Sequence, residues 1–485
     1  MKLTKIFAVA VAALVAFTAC RGTEEEGFQG DGTGFKVTAS AGVIYADGAD
    51  KVVFTATYDG IVISNSEAIT AYNQADGNIM PLENLTFTTN VAGTYAFYFT
   101  YDKEGAQHTS EVIEVVAVAK PALDFSDIQE SGLSIATSHT LFQVGVDEVY
   151  LIVRKNGKVL DAMMDDEVTF YDYQTNDIIS MSTKKVTDDN GVEKYMYRYN
   201  PKNACIRSIW AASGTHNTKN KPVKITAVDI PIPMAAIDVD PANTSFNKRS
   251  VLFQLTGTGC PNCPRLIKVI KDLWANPDYA DKFVHIGVHT YDSKDPMFYS
   301  EPGFVQAIGG VESYPAFVFD FRYGGAHSSQ TFVAEIDEAQ LMPAKAGIAA
   351  RVQSDGVSAL ARVSVKAAVE GEYCLAAMLV ESNIVYAQSG DLNGDHKVHE
   401  NALRLADGKN KGSYIGHSLG TLQAGETAEY LFNMPLKSNW VLPNCHIVFY
   451  VTTLGENGRT YEVTNAVASE SLNCTVEFDY KSAAE

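Results

Sequence analysis

One segment constrains this chain more than any other: Cys260-Pro261-Asn262-Cys263, with strand character before it and helix character after it. Val251-Leu252-Phe253-Gln254-Leu255 reads as a buried strand, and Gly257-Thr258-Gly259 as a turn. Beyond the second cysteine the apolar period changes. Leu266, Ile267, Val269, Ile270, Leu273 and Trp274 recur at helical spacing, with Arg265, Lys268, Lys271 and Asp272 between them. Strand, CxxC and helix in that order place Cys260 at a helix N-terminus, where unpaired N–H groups and the dipole favour a thiolate. Pro261 fits the first helical turn, with Pro264 still inside it, because a missing N–H costs nothing there.

The segments that follow are a second strand, Lys282–His289, and a helix with Phe304, Val305, Ala307 and Ile308. Then comes Ser313-Tyr314-Pro315-Ala316-Phe317-Val318-Phe319-Asp320, a proline opening an apolar strand. Proline in a sheet is confined to edges, strand starts and bulges. The pairing of a CxxC with such a strand resembles the thioredoxins and their cis-proline strand, which implies a thioredoxin-like domain over 241–347, closed by a helix around Phe332–Ala346. A competing reading of CxxC is half a zinc site, but no second CxxC or CxxH follows at finger spacing, so neither metal nor cofactor is expected.

The first residues set the compartment. Lys2 and Lys5 precede an apolar run, Ile6 to Phe17, ending at Thr18-Ala19-Cys20. The run is too short to cross a bilayer and reads as a signal peptide over 1–19. A cysteine directly after small residues resembles a bacterial lipoprotein cleavage site, which makes Cys20 the lipid attachment site, palmitate or a similar acyl chain, and the membrane a partner. The competing reading is an ordinary signal peptide with a stray cysteine. Residues 20–35 form an acidic, glycine-rich tether with Glu24, Glu25 and Glu26 in a row. An acidic run at this place resembles the export signal of Bacteroidetes surface lipoproteins, which implies an outer-membrane protein exposed on the cell surface.

Net charge is −20 over 485 residues, which argues against nucleic acid as a partner. The chain has seven cysteines. Export permits disulfides, and Cys260–Cys263 is the expected one. With Cys20 acylated, Cys205, Cys374, Cys445 and Cys474 remain, open to three pairings or to buried free thiols.

Fold class is multidomain and mainly β, with one α/β domain. Residues 36–119 read as one β-sandwich, from alternating strands at Val52–Thr57, Leu85–Thr88, Thr94–Phe99 and Val112–Val118 with Asp-Gly and Glu-Gly turns. Gly93-Thr94-Tyr95 before a strand, a turn and a final strand resemble bacterial immunoglobulin-like domains. A second such module spans 120–240, with an Asn156-Gly157 hairpin and a turn at Asp189-Asn190-Gly191. Pro231-Ile232-Pro233 reads as a linker. From 348 to 485 the strands Ala359–Val369, Tyr373–Val380, His446–Thr452 and Thr475–Phe478 predict a C-terminal β-sandwich.

This architecture resembles the outer membrane protein 28-related lipoproteins of Bacteroidetes. The matching stretches are Leu255–Pro264, Tyr314-Pro315-Ala316 and Val398-His399-Glu400-Asn401-Ala402-Leu403-Arg404. The resemblance covers roughly residues 240–475 and implies a surface-associated, adhesive role, with little chemistry attached. Two departures weigh against redox catalysis. Gly259 stands where thioredoxin-like sites commonly have an aromatic residue. Gln254, which does not titrate, is the nearest candidate for the carboxylate that moves protons during exchange.

Other constellations are weaker. Asp391-Leu392-Asn393-Gly394-Asp395 begins like a calcium loop, but His396 stands where Gly is needed and Ala402 where Glu is needed, so it reads as an acidic turn. His285 and His289 share one strand face. His289, at the strand end, is read as a polar residue leaving the core, within reach of the CxxC. Two functions follow. The first is a surface lipoprotein that binds a protein or glycan ligand, its CxxC mainly structural. The second is an exported thiol–disulfide oxidoreductase with Cys260 attacking, Cys263 resolving, Pro315 shaping the groove and a redox partner supplying electrons.

Overall fold

The structure, a computed structural model, describes residues 34–482 apart from 65–67, 75–76, 104, 311–312, 327–328, 456–457 and 459. The expected signal segment, Cys20 and the tether through residue 33 lie outside the described residues. The described chain is mostly β, in several sheets.

The two N-terminal modules are β-sandwiches of similar design. In the first, strands Phe35–Ala39, Val52–Tyr58, Ile61–Val62 and Thr86–Phe87 form one sheet. Val43–Tyr45, Ile113–Val118, Gly93–Lys103, Ile69–Asn73 and Ala106–Thr109 form the other. Phe54, Phe87, Phe97 and Phe99 fill the space between them. Along Val52–Tyr58 alternate side chains are buried and exposed, as expected for a strand with one wet face. In the second module, one sheet orders Leu133–Thr137, Val149–Lys155, Glu193–Tyr199 and Ser182–Thr187. It faces a sheet built on Leu141–Gln143, Val223–Val228, Cys205–Ser213 and Thr169–Asp172. In both modules a three-residue strand pairs in parallel with the last strand. The predicted Asn156-Gly157 turn is present, with both residues at positive φ.

Beyond residue 247 the elements that position the site are β1 (Ser250–Thr256), α1 (Pro264–Trp274), β2 (Phe283–His289), α2 (Phe304–Ala307), β3 (Ala316–Phe319), β4 (Tyr323–Ala326) and α3 (Ser329–Gln340). The predicted closing helix therefore ends six residues before Ala346, whose segment is already strand. The chain continues through β5 (Ala346–Ser354), β6 (Ser358–Ala367), β7 (Gly371–Glu381), β8 (Ile384–Val385), β9 (Val398–His399) and β10 (Ala402–Asp407). It ends with β11 (His417–Leu422), β12 (Thr427–Pro435), β13 (Cys445–Leu454), β14 (Tyr461–Ala468) and β15 (Cys474–Val476).

Strands from 241–347 and from 348–485 form one nine-stranded sheet, ordered β4-β3-β1-β2-β10-β7-β13-β14 with β11 beside β7. Residue 347 is thus no break in the sheet. The join is narrow. Gly287 pairs with Ala402, and its N–H donates to the Asn401 carbonyl at 2.8 Å. A Cβ on Gly287 would sit 3.3 Å from the Glu400 carbonyl, so glycine suits the close approach.

This sheet is covered on both faces. Leu266, Ile270 and Leu273 of α1 and Phe332 and Ile336 of α3 pack over Leu252, Phe317 and Phe319. On the opposite face Val251, Phe253 and Leu255 meet Ala376, Met378 and Val380 of β7, so the sheet curls over its own core. The alternate β7 residues, Leu375, Ala377 and Leu379, turn to the second sheet β12-β6-β5-β15 and form the largest core with Phe432, Ile447 and Phe449. The Pro231–Pro233 linker is also held: Arg362 Nε donates to the Pro233 carbonyl at 2.6 Å, and buried Lys366 reaches Asp238 at 2.8 Å.

Candidate functional site

Cys260 and Cys263 form a disulfide with Cα atoms 5.4 Å apart. The turn before them needs glycine, because a Cβ on Gly257 would lie 2.6 Å from Tyr291 Cβ. Helix α1 starts later than predicted. Cys260 N–H donates to the Gly257 carbonyl and Cys263 N–H to the Cys260 carbonyl, so two tight turns use up the motif. Cys263 is then the N-cap, its carbonyl accepting from Leu266 and Ile267 N–H, and Pro264 rather than Pro261 is the first helical residue. Cys260 stands three residues outside the helix.

Pro315 comes to the same end of the sheet. Leu255 pairs with Ala316 across β1 and β3, which places Pro315 opposite Thr256, and the Tyr314–Pro315 bond is cis. The Tyr314 hydroxyl donates to Thr290 Oγ1 at 2.9 Å, and its ring meets Tyr291 edge to face at 5.3 Å. The three site residues named from sequence therefore gather in one place.

Both cysteines are closed off: Cys260 is 1% exposed and Cys263 0%. The cover is a strap between β8 and β9, far along the chain. Gln388 Nε2 donates to the Cys260 carbonyl at 2.9 Å and the Gly257 carbonyl at 3.2 Å. Ser389 N–H donates to the Thr258 carbonyl at 2.7 Å. Gly390, at φ +76°, presses on the motif itself; a Cβ there would lie 2.0 Å from the Pro261 carbonyl oxygen. The strap tip is the acidic turn. Asp391 accepts from Asp395 and His396 N–H, and Lys271 of α1 donates to the Asp395 carbonyl at 3.1 Å.

Behind the turn sits a buried acid–imidazole pair. Asp295 Oδ2 accepts from Thr258 N–H at 2.7 Å and from His289 Nδ1 at 2.9 Å, and Oδ1 accepts from Met297 N–H. Burial alone would raise the Asp295 pKa, but the hydrogen bond and charge of His289 and the two backbone N–H groups outweigh it and hold it at about 2. His289 is therefore a fixed partner of this turn instead of a residue leaving the core. Gln254, the non-titrating residue of β1, bonds His285 Nε2 through Oε1 at 2.8 Å. Burial, with the charge of His289, pushes His285 down to about 3. His399 of β9 is lowered to about 4, chiefly by burial.

The sequence reading missed the strap and Asp295. Neither carries a local signal, because Gln388 reaches the CxxC turn only through contacts some 130 residues apart in the chain. The remaining thiols, Cys205, Cys374, Cys445 and Cys474, are free in this structure. Burial raises Cys445 to about 12, so it stays a neutral thiol. Among the described residues no group of three or more His, Cys, Asp or Glu is arranged to hold a metal ion, and no helix is long and apolar enough to cross a membrane.

No family model matches the chain, and no curated protein matches it. Among solved structures it is similar to HBP35 of Porphyromonas gingivalis, at 16% identity and TM-score 0.39 over 47% of this chain and 76% of that one. The D0-D1 domain of intimin gives 15% identity and TM-score 0.12, covering 41% and 97%. The Yersinia pseudotuberculosis adhesin InvE gives 14% identity and TM-score 0.13, covering 41% and 59%. Superpositions this weak carry no argument about fold or function.

Proposed function

We propose that this chain is a surface lipoprotein of the outer membrane protein 28-related kind, anchored through lipid on Cys20. Two immunoglobulin-like modules carry a thioredoxin-like head that binds a protein or glycan ligand, and Cys260–Cys263 serves to hold structure. The observation that carries this reading is the closed disulfide: both sulfur-bearing residues are buried and the Gln388–Gly390 strap lies on the motif. A thiol-exchange enzyme must present one sulfur to a partner, since exchange proceeds through a mixed disulfide. Gln254 beneath the motif, in place of a titrating group, points the same way.

The second reading, an exported thiol–disulfide oxidoreductase, is favoured by Pro315 standing beside the CxxC turn. There the Cys260 thiolate would attack a substrate disulfide and Cys263 would release the product, oxidising the pair and reducing the substrate. Two assays test the reading. Dithiothreitol-driven reduction of insulin by the full chain should stay at the uncatalysed rate and be unchanged by Cys260→Ser. A Cys260-dependent acceleration of tenfold or more would favour the enzyme. Protease treatment of intact cells should remove the protein, and full protection would refute surface exposure.

A further inference from the structure

Between α1, the sheet and β9 lies a cavity of about 30 Å3, which exceeds the space one water needs. Gln254, Thr256, Trp274, His285, His289 and His399 line it. Three of its buried polar atoms, Gln254 Nε2, Thr256 Oγ1 and His285 Nδ1, have no hydrogen-bond partner. Each belongs to a residue at most 4% exposed. Orphaned buried polar groups cost roughly 1–3 kcal/mol each, so a polar occupant is required to satisfy them.

The hydrogen bonds define what kind of occupant. Each imidazole has one nitrogen fixed as donor by an acceptor. His289 Nδ1 faces the Asp295 carboxylate at 2.9 Å, His399 Nε2 faces the Tyr386 carbonyl at 3.1 Å, and His285 Nε2 faces Gln254 Oε1. Wherever such a ring is neutral, its opposite nitrogen carries a lone pair. A histidine oriented by a carboxylate or carbonyl on one nitrogen, with a lone pair on the other, is the arrangement found at metal ligands. His289 and His399 are also spaced for it. Their ring centroids are 5.4 Å apart at 74°, and two imidazoles on one tetrahedral zinc, with Zn–N near 2 Å, place their centroids roughly 5 Å apart. Lys271 and Glu400 also line the cavity; the Lys271 ammonium is engaged with the Asp395 carbonyl, and the Glu400 carboxylate accepts from Asn383 N–H.

We propose that this cavity binds one divalent d-block cation, zinc above all, through His289 Nε2 and His399 Nδ1, with water in its remaining positions. Two protein ligands are fewer than the three or four of a resident zinc site. The site is therefore exchangeable. Bound water would donate to His285 Nδ1 and to Thr256 Oγ1, satisfying two of the orphaned atoms.

The test is a Zn2+ titration of the purified full chain against a chromophoric chelator, with the disulfide intact. One equivalent is expected. His399→Gln and His289→Asn should each weaken it at least 100-fold. Asp295→Asn should weaken it 10- to 100-fold, the usual effect of losing an orienting partner. His216→Asn, at an exposed histidine, should change nothing. Zinc-edge X-ray absorption on the wild-type chain should show imidazole scattering from two rings, and this decides the matter even where a variant fails to fold. No stoichiometric binding, unchanged affinity in His399→Gln, or a shell of oxygen alone or of sulfur would overturn the proposal.

Discussion

The first module and the CxxC-bearing half of this chain solve the same problem differently. In the first module the strand Val52–Tyr58 has one buried and one wet face. In the CxxC-bearing half, β1, β2 and most of β7 are buried on both faces, because helices, a second sheet and the curled sheet itself cover them. A strand with a wet face ends its own sandwich. A strand with two dry faces couples two cores, and here it couples the CxxC unit to the C-terminal strands. The site inherits this difference, since the strap that closes the disulfide comes from the connection between β7 and β10 of the shared sheet.

The comparison breaks most sharply at neighbouring core residues. Met378→Ala and Leu379→Ala face opposite cores, and each should cost about 2–5 kcal/mol in thermal or denaturant unfolding. In the first module Phe54→Ala should cost about 3–5 kcal/mol, whereas its neighbour Val53, 39% exposed, should change stability by about 0.5 kcal/mol or less on going to Ala. Equal losses at Val53 and Phe54 would remove the distinction.

Acid should sharpen it next. His285 and His399 lie in the CxxC-bearing half, lowered to about 3 and about 4 by burial. Unfolding frees them to protonate near the ordinary value of about 6.5. Below that pH the unfolded chain binds more protons, so stability falls as pH drops from about 6.5 towards about 4, on the order of 1 kcal/mol per histidine per pH unit. Melting curves at stepped pH should show this loss in the transition of the CxxC-bearing half, and His399→Gln should shrink it.

A smaller effect concerns the strap. Gly390→Ala places a Cβ against the Pro261 carbonyl at a φ that alanine rarely adopts, and should cost about 1–3 kcal/mol. It should also speed reduction of Cys260–Cys263 by dithiothreitol, read by mass-tagging of thiols. The smallest expected change is at the half-buried free thiols. Cys205→Ser and Cys474→Ser should each shift stability by about 0.5 kcal/mol or less, and a loss of several kcal/mol would point to a disulfide.

What could be read from the residues follows the same division. The strand at Val52–Tyr58 announces itself by alternation, and Asn156-Gly157 by turn chemistry, because both signals are local. The CxxC, its flanking elements and Pro315 were legible for the same reason. The helix start was misplaced because two prolines, Pro261 and Pro264, both suit a first turn, and the hydrogen bonds of Cys260 and Cys263 choose between them. Gly287 beside Ala402, Gln388 on Cys260 and Asp295 under Thr258 were not legible. Each depends on a tertiary approach, and nothing in the neighbouring sequence encodes it.

The most direct measurement is the reduction potential of Cys260–Cys263 in the full chain, equilibrated in dithiol buffers with Cys260→Ser as control. A closed, structural disulfide predicts a value below about −300 mV. A value between about −120 and −270 mV, the range of exchange catalysts, would contradict it.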